Sequence, residues 1–204
     1  MAEKTRIGVL VSGGGTNLQA LLDAQGCVIK DGEIVVVISN KAGAYALERA
    51  AKAGVDSHTV LKKDCGSQAA FEDAIKAILT EYKVDLIVLA GFLSILSADF
   101  TNAYPQRIVN VHPSLIPSFC GAGFYGLKVH EAALSYGVKV TGATVHFVNE
   151  VPDGGEIILQ KAVAIRKTDT AESLQKRVMQ QAEWKILPRA VQIVSRQIRK
   201  KKEE

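Results

Sequence analysis

Several ingredients are scarce in this 204-residue chain, and each scarcity closes off a class of protein. Its three cysteines, Cys27, Cys65 and Cys120, stand far apart with no Cys-x-x-Cys pair, which leaves no basis for a disulfide framework or a thiolate metal site. Scattered free thiols fit a reducing compartment. The longest uncharged apolar stretch, Leu86 to Ala98, is 13 residues, well short of the roughly 20 that a membrane-spanning helix needs. The opening MAEKTRIGVLVSGGG holds no apolar signal core with a small-residue cleavage site, so a cytoplasmic location and no membrane partner are expected. There is no Gly-x-Ser-x-Gly elbow for a serine nucleophile. Histidines at metal-ligand spacing are also absent, and no metal is expected. Charge of one sign is scarce as well: 25 Lys plus Arg against 21 Asp plus Glu leaves a net +4. Part of that excess sits in Arg196–Glu204, expected as a flexible basic tail. Without an RNA-binding aromatic signature, no nucleic-acid partner is expected from it.

What is present is an ordinary globular composition, 48% apolar and 23% charged, of a length that suits one domain over residues 1–204. Strand-like and helix-like segments alternate. Ile7–Ser12, Glu33–Ser39, Asp85–Ala90 and Arg107–His112 read as buried, β-branched strands, and Tyr45–Ala53 and Phe71–Tyr82 as helices. That alternation predicts an α/β fold of Rossmann-like type, with a mostly parallel sheet and helices on both faces. The last third differs. Thr141–Asn149 and Glu156–Ile165 form two strands joined by a hairpin-type connection through Asp153-Gly154-Gly155. A long helix then carries Leu174, Val178, Ala182, Ile186, Ala190 and Val194 on its apolar face, with Pro188 expected to kink or interrupt it.

Ligands of an open parallel sheet bind beyond the carboxyl ends of its strands. The unusual residues fall there: Ser12-Gly13-Gly14-Gly15-Thr16-Asn17, Gly91-Phe92-Leu93-Ser94-Ile95-Leu96 and Asn110-Val111-His112-Pro113-Ser114 each follow or end a strand. The glycine loop lacks the Gly-Lys-Ser/Thr of a Walker loop, and Leu18 stands where a dinucleotide fingerprint needs its third glycine. A bound phosphate monoester suits it, at exposed N–H groups and a helix N-terminus. Asn110 and His112 are two apart on one strand and project to the same face. Such a pair suits a carbonyl that becomes an oxyanion: the amide donates to it, and the imidazole donates or transfers a proton. Asp153 is the leading candidate for the carboxylate that steadies the imidazolium. His146 reads more readily as a buried structural histidine, and His58 and His130 carry no constellation. The chemistry implied is acyl-type transfer without a covalent enzyme intermediate.

SGGGTNLQ at 12–19, SNKAGAYALERA at 39–50, LAGFLSILS at 89–97, NVHPSLIPSF at 110–119, TVHFVNEVPDGG at 144–155 and EIILQKAV at 156–163 together closely resemble the phosphoribosylglycinamide formyltransferases of the formyl-folate transferase family. The resemblance runs from about residue 6 to residue 195. It implies the formyltransferase fold and transfer of a formyl group from 10-formyltetrahydrofolate, the donor co-substrate, to the amino group of glycinamide ribonucleotide in purine synthesis. By position it implies His112 as the proton donor, Asn110 as a ligand of the formyl oxygen and folate, and Asp153 as the carboxylate that raises the His112 pKa. Gly15, Thr16 and Asn17 would hold the phosphate and ribose end, with Gln180 and Glu183 meeting the substrate. Leu93, Ser94, Ile95 and Leu96, with Asn149, Glu150, Val151, Pro152 and Asp153, would line the pterin pocket.

The sequence also departs from that pattern. Gln68 occupies a folate-contacting position that is often basic in the family, and Ser94 replaces an Arg seen in some members. Residues 120–130 are several residues longer than the commonest form, as either a mobile flap or a packed surface loop. Formyltetrahydrofolate hydrolase is the nearest alternative and a non-catalytic nucleotide-binding module a more distant one. The hydrolases carry an extra N-terminal domain and the methionyl-tRNA formyltransferases an extra C-terminal one, and 204 residues are expected to leave room for neither. Monomer and homodimer both stay open.

Overall fold

Apolar β-branched runs become the centre of the sheet because both faces of a parallel strand must be covered. The computed structural model describes residues 3–203. Its strands are β1 (Thr5–Val11), β2 (Gly32–Ser39), β3 (Asp56–Thr59), β4 (Leu86–Leu89), β5 (Ile108–His112), β6 (Val140–Phe147) and β7 (Ile157–Ala164). They lie in the order β3-β2-β1-β4-β5-β6-β7. β1 to β5 are parallel, and β6 is antiparallel to both β5 and β7. The expected α/β sheet with an antiparallel C-terminal hairpin is the one that forms. β3, with its exposed polar residues, gave no apolar signal.

The helices are α1 (Thr16–Ala24), α2 (Tyr45–Lys52), α3 (Lys62–Cys65), α4 (Gln68–Glu81), α5 (Ala98–Ala103), α6 (Leu127–Tyr136), α7 (Ala171–Val178) and α8 (Trp184–Glu203). Alternate strand residues point to opposite faces, so each strand feeds two cores. Val9, Val88 and Val109 join Leu18 and Leu21 of α1, Ala50 of α2, Leu174 of α7 and Leu187 of α8. Leu10, Ile87 and Ile108 join Phe71, Ile75 and Leu79 of α4 and Phe100 of α5. In β2 the register slips at Val35, since Ile7 faces Ile34 and Gly8 faces Val36. Ile34 and Val37 therefore both reach the first core, while Val36 and Ile38 reach the second.

The long C-terminal helix is interrupted, though not at Pro188. The break is a π-helical turn over Met179–Glu183, and Pro188 lies inside α8. Proline has no N–H to give the Trp184 carbonyl four residues back. The helix widens in the turn before that point, and this places Glu183 at the break. The expected flexible tail is helical through Glu203, with Arg199 paired to Asp31 and Lys202 2.7 Å from Asp85; Glu204 lies outside the described residues. No helix among the described residues is long and apolar enough to cross a membrane.

Phe71 is fully enclosed in the second core. Phe71→Ala is expected to lower the unfolding free energy by about 3–5 kcal/mol in a urea titration, and a loss below about 1 kcal/mol would contradict a tightly packed second face.

Candidate active site

The chain leaves β1 through α1 towards β2 on one side, and leaves β4 through α5 towards β5 on the other. Two adjacent parallel strands whose connections diverge leave a crevice at their carboxyl ends. A cavity of about 630 Å³ fills it, with Asn17, Asn110, His112, Asp153 and Glu183 in its walls.

β5 carries the polar pair to this edge. Asn110 faces His146 across the antiparallel β5–β6 ladder, and His112 faces Thr144. The Asn110 amide Nδ2 lies 3.2 Å from His146 Nε2, while His146 Nδ1 lies 2.7 Å from the Phe147 carbonyl. A carbonyl only accepts, so Nδ1 of neutral His146 carries the proton and Nε2 accepts from Asn110. His112 is set by the same logic. Its Nε2 is 2.9 Å from the Phe119 carbonyl, which leaves Nδ1 turned to Asp153 Oδ2 at 3.4 Å.

Asp153 sits between the two rings, with Oδ1 3.5 Å from His146 Nε2, and Oδ2 also accepts from the Gly121 N–H at 2.8 Å. Its φ of 57° is left-handed, an uncommon state for a residue with a Cβ. Burial opposes its ionisation. The His146 contact, the Gly121 N–H and the charge either imidazole can carry outweigh this, and its pKa falls below the usual value. For His112, burial pulls the pKa down. Asp153 and the Phe119 carbonyl push it up and His146 lowers it again, with a net result below the ordinary histidine value. The carboxylate expected to raise the His112 pKa does act in that direction, but removal from water is the larger effect.

Asn17, just past the glycine loop, and Glu183 line the opposite wall. Gly15 caps α1 with a φ of 70°, and a Cβ there would come within 2.7 Å of Ala46 Cβ, so only glycine fits. No side chain caps α1, and its first-turn N–H groups are left for an anion. Asn17 donates to Glu183 Oε2 at 2.8 Å. Burial raises the Glu183 pKa to about 7, against the Asn17 amide, which lowers it.

Other expected site residues are distributed around this centre. Leu93, Ser94 and Ile95 line the main cavity. Ser94, Ile95, Leu96, Asn149, Glu150, Pro152 and Asp153 wall a side cavity of about 120 Å³ that shares Asn110 with it. Val151 lies on the rim, exposed, with its N–H given to Asn149 Oδ1. Gln68 lines neither cavity; it donates to the Ile95 carbonyl at 3.2 Å and to Glu72, and so supports a wall from behind. Thr16 and Gln180 face a separate outer groove of about 1010 Å³ along α1 and α8. The 120–126 stretch walls the main cavity, and Phe119 meets Phe124 edge-on at 6.4 Å.

Sequence reasoning undervalued two histidines. His146 is buried, as expected, but it also contacts both Asn110 and Asp153. His130, on α6, is fully buried in the cavity wall with neither ring nitrogen partnered among the described residues. Burial and the nearby His112 lower its pKa to about 4. Its place between Val129 and Ala133 on the buried face of α6 was the available signal. Among the described residues no group of His, Cys, Asp or Glu is placed to hold a metal ion.

Residues 5–191 match the model of the family described as formyl transferase. The chain is 42% identical to phosphoribosylglycinamide formyltransferase of Haemophilus influenzae over 90% of this chain and 84% of that one. It is 46% identical to the trifunctional purine biosynthetic protein adenosine-3 of Bos taurus over 95% of this chain, and spans 18% of that relative's length. Among solved structures, glycinamide ribonucleotide transformylase 1 of Symbiobacterium toebii aligns with a TM-score of 0.89 at 43% identity, covering 97% of this chain and 90% of that one. Phosphoribosylglycinamide formyltransferase of Brucella melitensis aligns with a TM-score of 0.86 at 42% identity, covering 94% and 96%.

Glu183 and His130 bias stability in opposite directions. The folded state holds the Glu183 proton up to about pH 7, whereas the unfolded chain releases it near 4.5, so rising pH costs stability across that window. The unfolded chain protonates His130 near 6.5 and the folded state only near about 4, so rising pH restores stability there. Glu183→Gln removes the first effect alone. The stability gap between this variant and the parent is expected to widen by about 3 kcal/mol in its favour between about pH 4.5 and about pH 8. Denaturant titrations that give a pH-independent gap would show that Glu183 ionises normally.

Proposed function

The chain belongs to the formyl transferase family, and we propose that within it the protein transfers the formyl group of 10-formyltetrahydrofolate to the amino group of glycinamide ribonucleotide, a step of purine biosynthesis. The observation that carries this reading is the meeting of Asn110, His112 and Asp153 in a cavity that Asn17, just past a phosphate-type glycine loop, also lines and that adjoins a narrow side cavity. The glycine loop and the N-terminus of α1 fit the phosphate, and Glu183 with Asn17 fits the ribose hydroxyls. The side cavity, walled by residues 94–96, 149–150 and 152–153, fits a flat pterin.

Direct attack through a tetrahedral intermediate suits this geometry. The substrate amine, once neutral, attacks the formyl carbon, and the carbonyl electron pair moves onto oxygen. Asn110 Nδ2 has a second N–H beyond the one given to His146, free to donate to that oxygen. The attacking nitrogen becomes positive and must lose a proton, while the folate nitrogen must gain one before it leaves. His112 suits both transfers. Burial holds its pKa below the ordinary histidine value in the free site, while Asp153 together with the developing oxyanion favours its imidazolium. The proton taken from the amine goes to the departing nitrogen, the carbon–nitrogen bond to folate breaks, and the imidazole returns to neutral.

Formyl release measured with glycinamide ribonucleotide present and then omitted tests the reading. Turnover only with the acceptor supports it. Equal folate release without acceptor would indicate a hydrolase, and no turnover with any acceptor a binding module. Asn110→Ala is expected to lower kcat about a hundred- to a thousandfold. Asp153→Asn removes the one group among those around His112 that raises its pKa through charge. The imidazole pKa, followed by NMR titration, is expected to fall further, with slower turnover. An unchanged imidazole titration would take Asp153 out of this role.

A further inference from the structure

The three glycines after β1 are all held from one side, by α2. The Ala46 N–H donates to the Gly13 carbonyl at 3.1 Å. Arg49 Nε donates to the Gly14 carbonyl at 2.9 Å. Ala46 packs beneath Gly15 so closely that a Cβ there would overlap it. Around Gly13 and Gly14, by contrast, an added Cβ would meet nothing within 4 Å, so the space over the loop is open. A trans peptide is planar, with its C=O and N–H pointing opposite ways. Turning the Gly13 and Gly14 carbonyls towards α2 therefore turns the Gly14 and Gly15 N–H groups away from it. Neither of those N–H groups donates to another group among the described residues.

Arg49 is itself fixed. Its Nη1 donates to Gln19 Oε1 of α1 at 2.8 Å, and its guanidinium lies 4.9 Å from the centre of the Tyr45 ring. No carboxylate pairs with it among the described residues, and it shares the outer groove with Thr16. A planar fork can hold a backbone carbonyl and a side-chain amide together, whereas an ammonium acts as a point charge.

Resting on the function proposed above, we infer that Arg49 is a positioning residue for the substrate phosphate: by holding the Gly14 carbonyl it aims the Gly15 N–H at that anion, and it leaves an unpaired positive charge beside it. Arg49→Gln is expected to raise KM for glycinamide ribonucleotide about tenfold and to weaken ribose 5-phosphate binding, measured by calorimetry, by a similar factor. KM for the formyl donor and kcat should stay within about twofold, and turnover of the riboside lacking the phosphate should not respond to the substitution. Arg49→Lys keeps the charge without the fork and is expected to recover no more than about threefold of the lost ribose 5-phosphate affinity. Full recovery by Lys would assign the effect to charge alone and overturn the positioning role. An equal KM rise for the riboside, or unchanged ribose 5-phosphate affinity, would overturn it as well. Should Arg49→Gln fail to fold, the Lys variant decides on its own: ribose 5-phosphate affinity weakened severalfold supports the role, and parental affinity overturns it. If the parent protein transfers no formyl group, the functional reading falls, while the ribose 5-phosphate titration still decides the role of Arg49.

Discussion

A carboxylate held between two imidazoles sets the geometry of this site. Asp153 reaches His112 at the end of β5, His146 on β6 and the Gly121 N–H in the loop before α6, and so ties the β5–β6 ladder to that loop. Each ring has its far nitrogen on a backbone carbonyl, so its near nitrogen can donate to the carboxylate only when the ring is protonated. The left-handed backbone at Asp153 is the cost of delivering an acid into that gap from a tight turn. Antiparallel pairing of β5 and β6 does the rest, since it puts His146 opposite Asn110 and so orients the amide.

Around that centre the molecule tolerates polar burial that does not favour folding. Glu183 and His130 are both removed from water, and each prefers its neutral form as a result. Neither has a charged partner to offset the desolvation; Glu183 has one amide, and His130 has no hydrogen bond among the described residues. Two apolar cores, one on each face of the sheet, carry the stability that these groups spend. The opposed pH dependences of the acid and the base then partly cancel between about 4.5 and 6.5.

The loop after β4 is held by neutral contacts. Gln68 and Ser94 give and accept ordinary hydrogen bonds: Gln68 to the Ile95 carbonyl, and Ser94 from Asn40 at 2.7 Å. Ser12 receives the Leu93 N–H at 2.8 Å, tying the loop after β4 to the end of β1. The loop, which walls both cavities, is thereby fixed to the scaffold beneath it. Leu93 and Ile95 remain more than half exposed on this loop, apolar surface of the kind a flat ligand covers.

Much of this was legible in the sequence, and the limit follows from what each signal depends on. Hydrophobic periodicity is local, so β1, β2, β4 and β5 could be read directly, and with them the placing of Asn110 and His112 on one face. β3 could not, because its four residues are half-buried or exposed and carry no apolar pattern. Pro188 pointed to a break in the last helix but not to the π-helical turn before it. The significance of His130 and His146 was hidden too, because a lone histidine acquires meaning only from neighbours distant in sequence. The same holds for Arg49, whose partner Gly14 lies on a different element. The sequence by itself determined the strand faces, the glycine loop and the residues capable of the chemistry. Only the tertiary structure decided their ionisation and aim, because desolvation and hydrogen-bond direction depend on groups that folding, not chain order, brings together.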